Sequence, residues 1–261
     1  MSASAIAATA PRTLTAREAT LLTEDQDRAF LDMLRTLSPE AWEATTDCAP
    51  WKVRDIVAHV LGWAEALTSL GEAGHQVVAG RRRVRELGNP VDAQNQVQVD
   101  ERAHLSPDEL LQRLEMTLPK FSRFCRRAGR VGRVLPLYDG TILGLTNVNY
   151  LLNTIFTRDH FMHRIDIARA TGAELAVGPS EARLIEDVVC DWGRRRKVRA
   201  LVTLTGPAGG SYLLGGSPEA ALEGDAIVFA RVMAGRGRPD ELQISGDVKG
   251  AERWLREGCP F

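Results

Sequence analysis

Apolar residues recur every three or four positions through most of the first 170 residues, and that period confines the chain to helices packed on one another. One stripe runs from about Thr15 to Leu37 through Leu21, Leu22, Phe30, Leu31, Leu34 and Leu37, and "SPEAW" after it restarts a short turn. A second follows Pro50, with Ile56, Val60, Trp63, Leu67 and Leu70 in step. A third opens on Ser106 as N-cap, with Pro107 in the first turn and Glu109 placed for a capping box, and ends at Gly129. The fourth covers roughly Thr146 to Ala170 and stops at Gly172, a residue suited to a left-handed C-cap. Between the second and third lies a stretch from Gly71 to about Ser106 that holds "GRRRVRELGNP" and "DAQNQVQVDE". It reads as a long connection, either part of a binding wall or mobile.

Beyond Gly178 the texture changes. A helix from Ser180 to Arg195 precedes "ALVTLTG", "GSYLLGG", "DAIVFARVMAG" and "ELQISGD", short strand-like runs punctuated by glycine. The expected fold class is therefore α+β: a four-helix bundle over 13–177 joined near Val177 to a small α+β domain over 178–261. Residues 1–12, small and featureless, are expected to be a disordered lead-in.

Charge narrows the partners. Thirty-three basic residues against thirty-four acidic ones leave a formal charge of -1, so no global field draws this chain to nucleic acid or an anionic membrane. The clusters Arg81 to Arg85 and Arg194 to Arg199 then read as solvated faces or salt-bridged surfaces. A small-molecule substrate fits better, handled by a monomer or homodimer. Cys48, Cys125, Cys190 and Cys259 form no CxxC pair, nothing resembles a secretion signal, and no apolar run is long enough to span a bilayer. A cytoplasmic protein with reduced thiols is expected.

The fourth helix carries polar residues where its stripe should be apolar. Val148, Leu152, Ile155, Asp159, Met162 and Asp166 lie on or near one face, and His163 stands one turn past Asp159. Side chains four apart on a helix are neighbours, with β-carbons about 5–6 Å apart, a spacing that suits two ligands of one metal. His59, three residues after Ile56 and four before Trp63, can point into the same interior. An isolated carboxylate in an apolar core costs several kcal/mol, and a divalent cation removes that cost. Two imidazoles and a carboxylate around Zn²⁺ leave a coordination position open for water or substrate. Spacing alone leaves alternatives open: His160 could replace Asp159 beside His163, and Asp159 could pair with Arg158, Arg164 or another base.

A resemblance bears on that choice. "TDCAPWKVRDIVAHVLGW" and "RDHFMHRIDIARATG" resemble the second- and fourth-helix signatures of the mycothiol-dependent maleylpyruvate isomerase branch of the DinB-like family. "GDAIVFARVMAGR" and "LQISGDVKGAERWL" resemble its sterol-carrier-like C-terminal domain. The resemblance implies a DinB-like bundle holding a divalent metal, Zn²⁺ by donor type, through His59, Asp159 and His163. The characterised isomerases carry glutamate where this chain has Asp159, which reaches one methylene less far. Mycothiol is the implied cosubstrate: its thiolate adds to an activated double bond, the resulting single bond rotates, and elimination returns the other isomer. A transferase keeps the adduct. An arginine of the C-terminal domain is implied as a clamp for an anionic electrophile, with Arg236 the candidate and Arg238 the reserve. The alternative function is a metal-free DinB-like protein that binds or transforms a small molecule through acid/base residues in the bundle. A regulatory partner-binding protein is a third reading, and only the arginine clusters speak for it.

Overall fold

The computed structural model describes residues 8–132, 135–138 and 145–261. Residues 1–7 of the expected lead-in lie outside them. The chain divides into two compact units, Ala16–Leu175 and Ala176–Phe261, with residues 8–15 belonging to the second.

Four long helices build the first unit: α1 (Ala16–Arg35), α2 (Val53–Thr68), α5 (Pro107–Gly132) and α7 (Phe156–Thr171). Their stripes meet in a core containing Phe30, Leu34, Ile56, Val60, Leu114, Phe121 and Phe156. Leu21, expected in the α1 stripe, is instead half exposed. The end signals work as read. Ser106 Oγ accepts from the Glu109 N–H (3.3 Å) while Glu109 Oε2 accepts from the Ser106 N–H (2.8 Å), and Gly172 closes α7 at φ 73°. A short antiparallel pair, β1 (Pro136–Tyr138) and β2 (Leu145–Asn147), leads through α6 (Val148–Tyr150) and a π turn, Leu151–Ile155, into α7.

The stretch read as a long connection is a helical hairpin, α3 (Leu70–Leu87) and α4 (Pro90–Arg102). Its end signals are orderly: Ser69 Oγ accepts from the Glu72 N–H, Gly88 takes φ 86°, and Asn89 Oδ1 accepts from the Asp92 N–H with Pro90 behind it. Periodicity missed it because polar and apolar residues share the buried face. Gln76, Gln98 and Arg102 are all buried, beside Ala93, Val97 and Val99. Small residues allow the close approach. A β-carbon on Gly62 of α2 would meet the Gln98 side chain at 2.5 Å.

In the second unit, α8 (Pro179–Arg196) accompanies a four-stranded sheet of order β4-β3-β5-β6, with α9 (Ala226–Met233) and α10 (Val248–Glu257). β3 (Ala200–Thr205) runs antiparallel to β4 (Gly210–Leu213) and parallel to β5 (Ala220–Asp225), and β6 (Gln243–Gly246) is antiparallel to β5. "DAIVFARVMAG" is therefore a correction: it is not a strand but α9, capped where Asp225 Oδ1 accepts from the Ile227 and Val228 N–H groups. A short apolar run cannot distinguish a buried strand from a buried helix by period alone. The strand is the preceding "AALEGD", whose alanines and glycine give little β signal. Trp192, fully buried, donates from Nε1 to the Trp254 carbonyl (2.9 Å) and meets the Phe229 ring edge-on. Residues 8–12, expected to be disordered, are also corrected. Thr9 pairs with the edge of β4, donating to the Ser211 carbonyl (3.0 Å) and accepting from the Leu213 N–H (2.9 Å). Backbone pairing at an exposed sheet edge needs no sequence signature in the added segment.

The architecture is α+β: a mostly helical N-terminal unit and a C-terminal mixed sheet with helices. Several of the clustered arginines are paired, Arg83 with Glu86 and Asp100, Arg195 with Asp191, and Arg199 with Glu219. Among the described residues, no helix is long and apolar enough to cross a membrane.

Candidate metal centre

Helix geometry brings the three expected ligands together in the bundle. His59 comes from α2, and Asp159 and His163 from successive turns of α7. One ligand atom from each lies within 4.8 Å of the other two. His163 Nε2 stands 3.3 Å from Asp159 Oδ1 and His59 Nε2 stands 3.8 Å from Asp159 Oδ2, so each imidazole addresses its own oxygen of one carboxylate. Tetrahedral ligands held about 2.0–2.2 Å from Zn²⁺ stand roughly 3.3–3.6 Å apart; the His163–Asp159 pair is already at that spacing and the His59–Asp159 pair lies just beyond it. The two imidazole side chains are 5% and 3% exposed against 21% for Asp159, so the centre opens on its carboxylate side.

Each imidazole is anchored from behind. His163 Nδ1 lies 3.2 Å from Asp166 Oδ2, and His59 Nδ1 lies 2.9 Å from Gln98 Oε1. Metal-binding histidines ordinarily have the far nitrogen held in this way, which orients the ring and leaves the near nitrogen to the cation. The Trp51 ring, 4.9 Å away, covers His59.

Charge and burial act in opposition here. Burial lowers the pKa of His59, and the nearby Asp159 only partly offsets it, which favours a neutral ring. Burial also opposes charge on His163, but Asp159 and Asp166 outweigh it and the group is pushed up to about 10. Burial alone would raise Asp159; the two histidines hold it well below the usual carboxylate range instead. Without a cation, the trio is thus a carboxylate, an imidazolium and a neutral imidazole.

The alternatives left by spacing resolve in the same geometry. Adjacent helical residues point about 100° apart. His160 accordingly turns to α1, where Nδ1 lies 2.8 Å from Asp27 Oδ1, and Phe30 and Phe121 flank its ring. Arg164 donates to Gln26 Oε1 (2.7 Å) and Arg158 Nη1 lies 3.5 Å from the Tyr150 hydroxyl, while Asp159 faces the two histidines. Arg236 belongs to the second unit, just past α9, where its backbone carbonyl accepts from Arg231 Nη2 (2.7 Å). None of the four cysteines joins the trio; burial pushes the Cys125 and Cys190 thiols up, away from thiolate character. Sequence reasoning missed Gln98 and Gln76. The only signal for Gln98 was the run of amides after Asn89 and Pro90, and Gln76 had none.

A helical bundle with two histidines and a carboxylate converging on one point defines the class: a bundle-borne candidate metal centre. Residues 23–168 match the family described as the mycothiol maleylpyruvate isomerase N-terminal domain, and the chain belongs to that family. Two solved structures, a mycothiol-dependent maleylpyruvate isomerase and a histidine-to-alanine mutant of it, share the fold. Each has a TM-score of 0.58 at 18% identity, over 90% of this chain and 95% of theirs. No curated protein matches the sequence.

Proposed function

We propose that His59, Asp159 and His163 hold a divalent cation, Zn²⁺ by donor type, and that the protein uses mycothiol to isomerise a small electrophilic metabolite, or joins the intact thiol to it as a lasting adduct. The convergence of two back-anchored imidazoles on one partly exposed carboxylate carries this reading. The donors fit the ion: nitrogen and oxygen ligands suit Zn²⁺, and Asp159 supplies charge to offset that of the cation. A cation bound there supplies the field that holds a thiol as thiolate near neutral pH. The chain supplies the rest. His59 and His163 fix the geometry, their burial limits water, and the exposed flank of Asp159 marks the side from which thiol and electrophile approach.

The test is elemental analysis of the purified protein together with mycothiol consumption in the presence of activated alkenes. About one metal per chain and chelator-sensitive turnover are expected. A metal-free protein that leaves mycothiol unconsumed would remove this reading. It would favour acid/base chemistry by the trio, a second reading supported by the ion pair that Asp159 and His163 form without any cation.

Metal affinity should rise with pH. In the metal-free protein His163 holds a proton to about pH 10, and a cation must displace it from Nε2. One proton is then released per ion, and affinity climbs about tenfold per pH unit between roughly pH 7 and 9. Co²⁺ titrations against a chelator buffer measure the slope, and a flat profile contradicts the proton assignment.

A further inference from the structure

The geometry points to Gln98 and Gln76 as positioning residues that determine which nitrogen of His59 faces the centre. The direction of their hydrogen-bond relay is set at its far end. Gln76 Nε2 lies 2.9 Å from the Gly62 carbonyl and 2.8 Å from Glu72 Oε1, and neither of those oxygens has a proton to give. Glu72 stays ionised: burial works against the carboxylate, but Gln76 and Arg102, the latter 2.8 Å away, hold its pKa down. Gln76 must therefore turn its NH₂ toward the backbone and its Oε1 toward Gln98. Gln98 in turn donates Nε2–H to Gln76 Oε1 (2.9 Å), which leaves its own Oε1 for His59 Nδ1. An oxygen at 2.9 Å requires a proton on Nδ1, and in a neutral ring the lone pair then sits on Nε2, facing Asp159 and His163.

Both amides are fully buried, so no solvent competes for their donors and acceptors. The neighbouring amides of α4 act in the same sense. Asn95 Oδ1 accepts from the Trp63 indole (3.1 Å) and Gln96 Oε1 from the Trp51 indole (3.3 Å). The polar run that looked like a loop is thus a row of acceptors for donors on and beside α2. Gly62 has two parts in it: its carbonyl starts the relay, and its lack of a β-carbon lets Gln98 approach.

The functional consequence rests on the metal reading above, whereas the tautomer does not, and two measurements keep them apart. Nitrogen-15 shifts of His59 in metal-free protein are expected to show a protonated Nδ1 and an unprotonated Nε2. Gln98→Met, close in size but with no acceptor, should release that preference, and Gln98→Glu, which gives up the bond to Gln76 but keeps an acceptor oxygen for Nδ1, should retain it. Co²⁺ affinity should fall about 10- to 100-fold in Gln98→Met and stay within a few-fold of wild type in Gln98→Glu. Gln76→Met should produce the same tautomer mixing if Gln98→Met does not fold. A wild-type His59 protonated on Nε2, a His59 unmoved by Gln98→Met, or equal losses in the Met and Glu variants would overturn the assignment. A wild-type protein that binds no cation would sink the metal reading, with the nitrogen shifts still deciding this one.

Discussion

His163→Ala is expected to strip the protein of its metal, with a loss of affinity well beyond the roughly 10- to 100-fold that follows removal of an outer partner. It removes one of the three proposed ligands, and the remaining His59 and Asp159 come from different helices. Under the proposed function, turnover with mycothiol should fall in parallel. A second cost appears without any cation. His163 lies 3.3 Å from Asp159 and 3.2 Å from Asp166, and deleting it takes away the buried cation that these two carboxylates share. Removing one partner of a buried ion pair costs about 3–5 kcal/mol. The sign with pH follows from the raised His163 pKa. That stabilisation is complete below the unfolded histidine value of about 6.5 and is lost as pH rises through about 10. Denaturation of the metal-free proteins should therefore show the largest gap between wild type and variant near pH 6. Equal metal content in His163→Ala and wild type would leave the centre without support.

Asp27→Ala should produce the opposite pattern, a large loss of stability with metal content intact. Asp27 is buried between α1 and α5, with His160 Nδ1 on one oxygen and the Ser122 hydroxyl on the other. Truncation leaves two buried polar groups without their acceptor, at about 1–3 kcal/mol each, and opens a small void in addition. A loss of about 3–5 kcal/mol in urea denaturation is expected. Asp27→Asn, which keeps one acceptor oxygen, should cost less. If Asp27→Ala also loses metal, the separation of His160 from the centre is wrong.

Much of this organisation was legible in the chain. The helices α1, α2, α5 and α7 face one another with apolar side chains, so their period was visible, and Ser106, Glu109 and Gly172 marked ends through local hydrogen bonds. The i, i+4 pair Asp159 and His163 follows from helix geometry alone. The hairpin α3–α4 was not legible because Gln76, Gln98 and Arg102 are buried through polar contacts, which leave no apolar stripe to find. Likewise α9 presents Ile227, Val228 and Phe229, residues typical of strands, yet the cap at Asp225 and packing on the sheet make it helical.

Helical stripes, their caps and the candidate ligand types could be read from the chain, since each depends on neighbours within a few positions. Which of them meet depended on how the helices pack. That packing brought His59 to Asp159 and His163, turned His160 toward Asp27, and placed Gln98 behind His59. The physical reason is range: a cap or an i, i+4 pair is satisfied within one or two turns of chain, whereas a buried donor must find its acceptor wherever packing puts one.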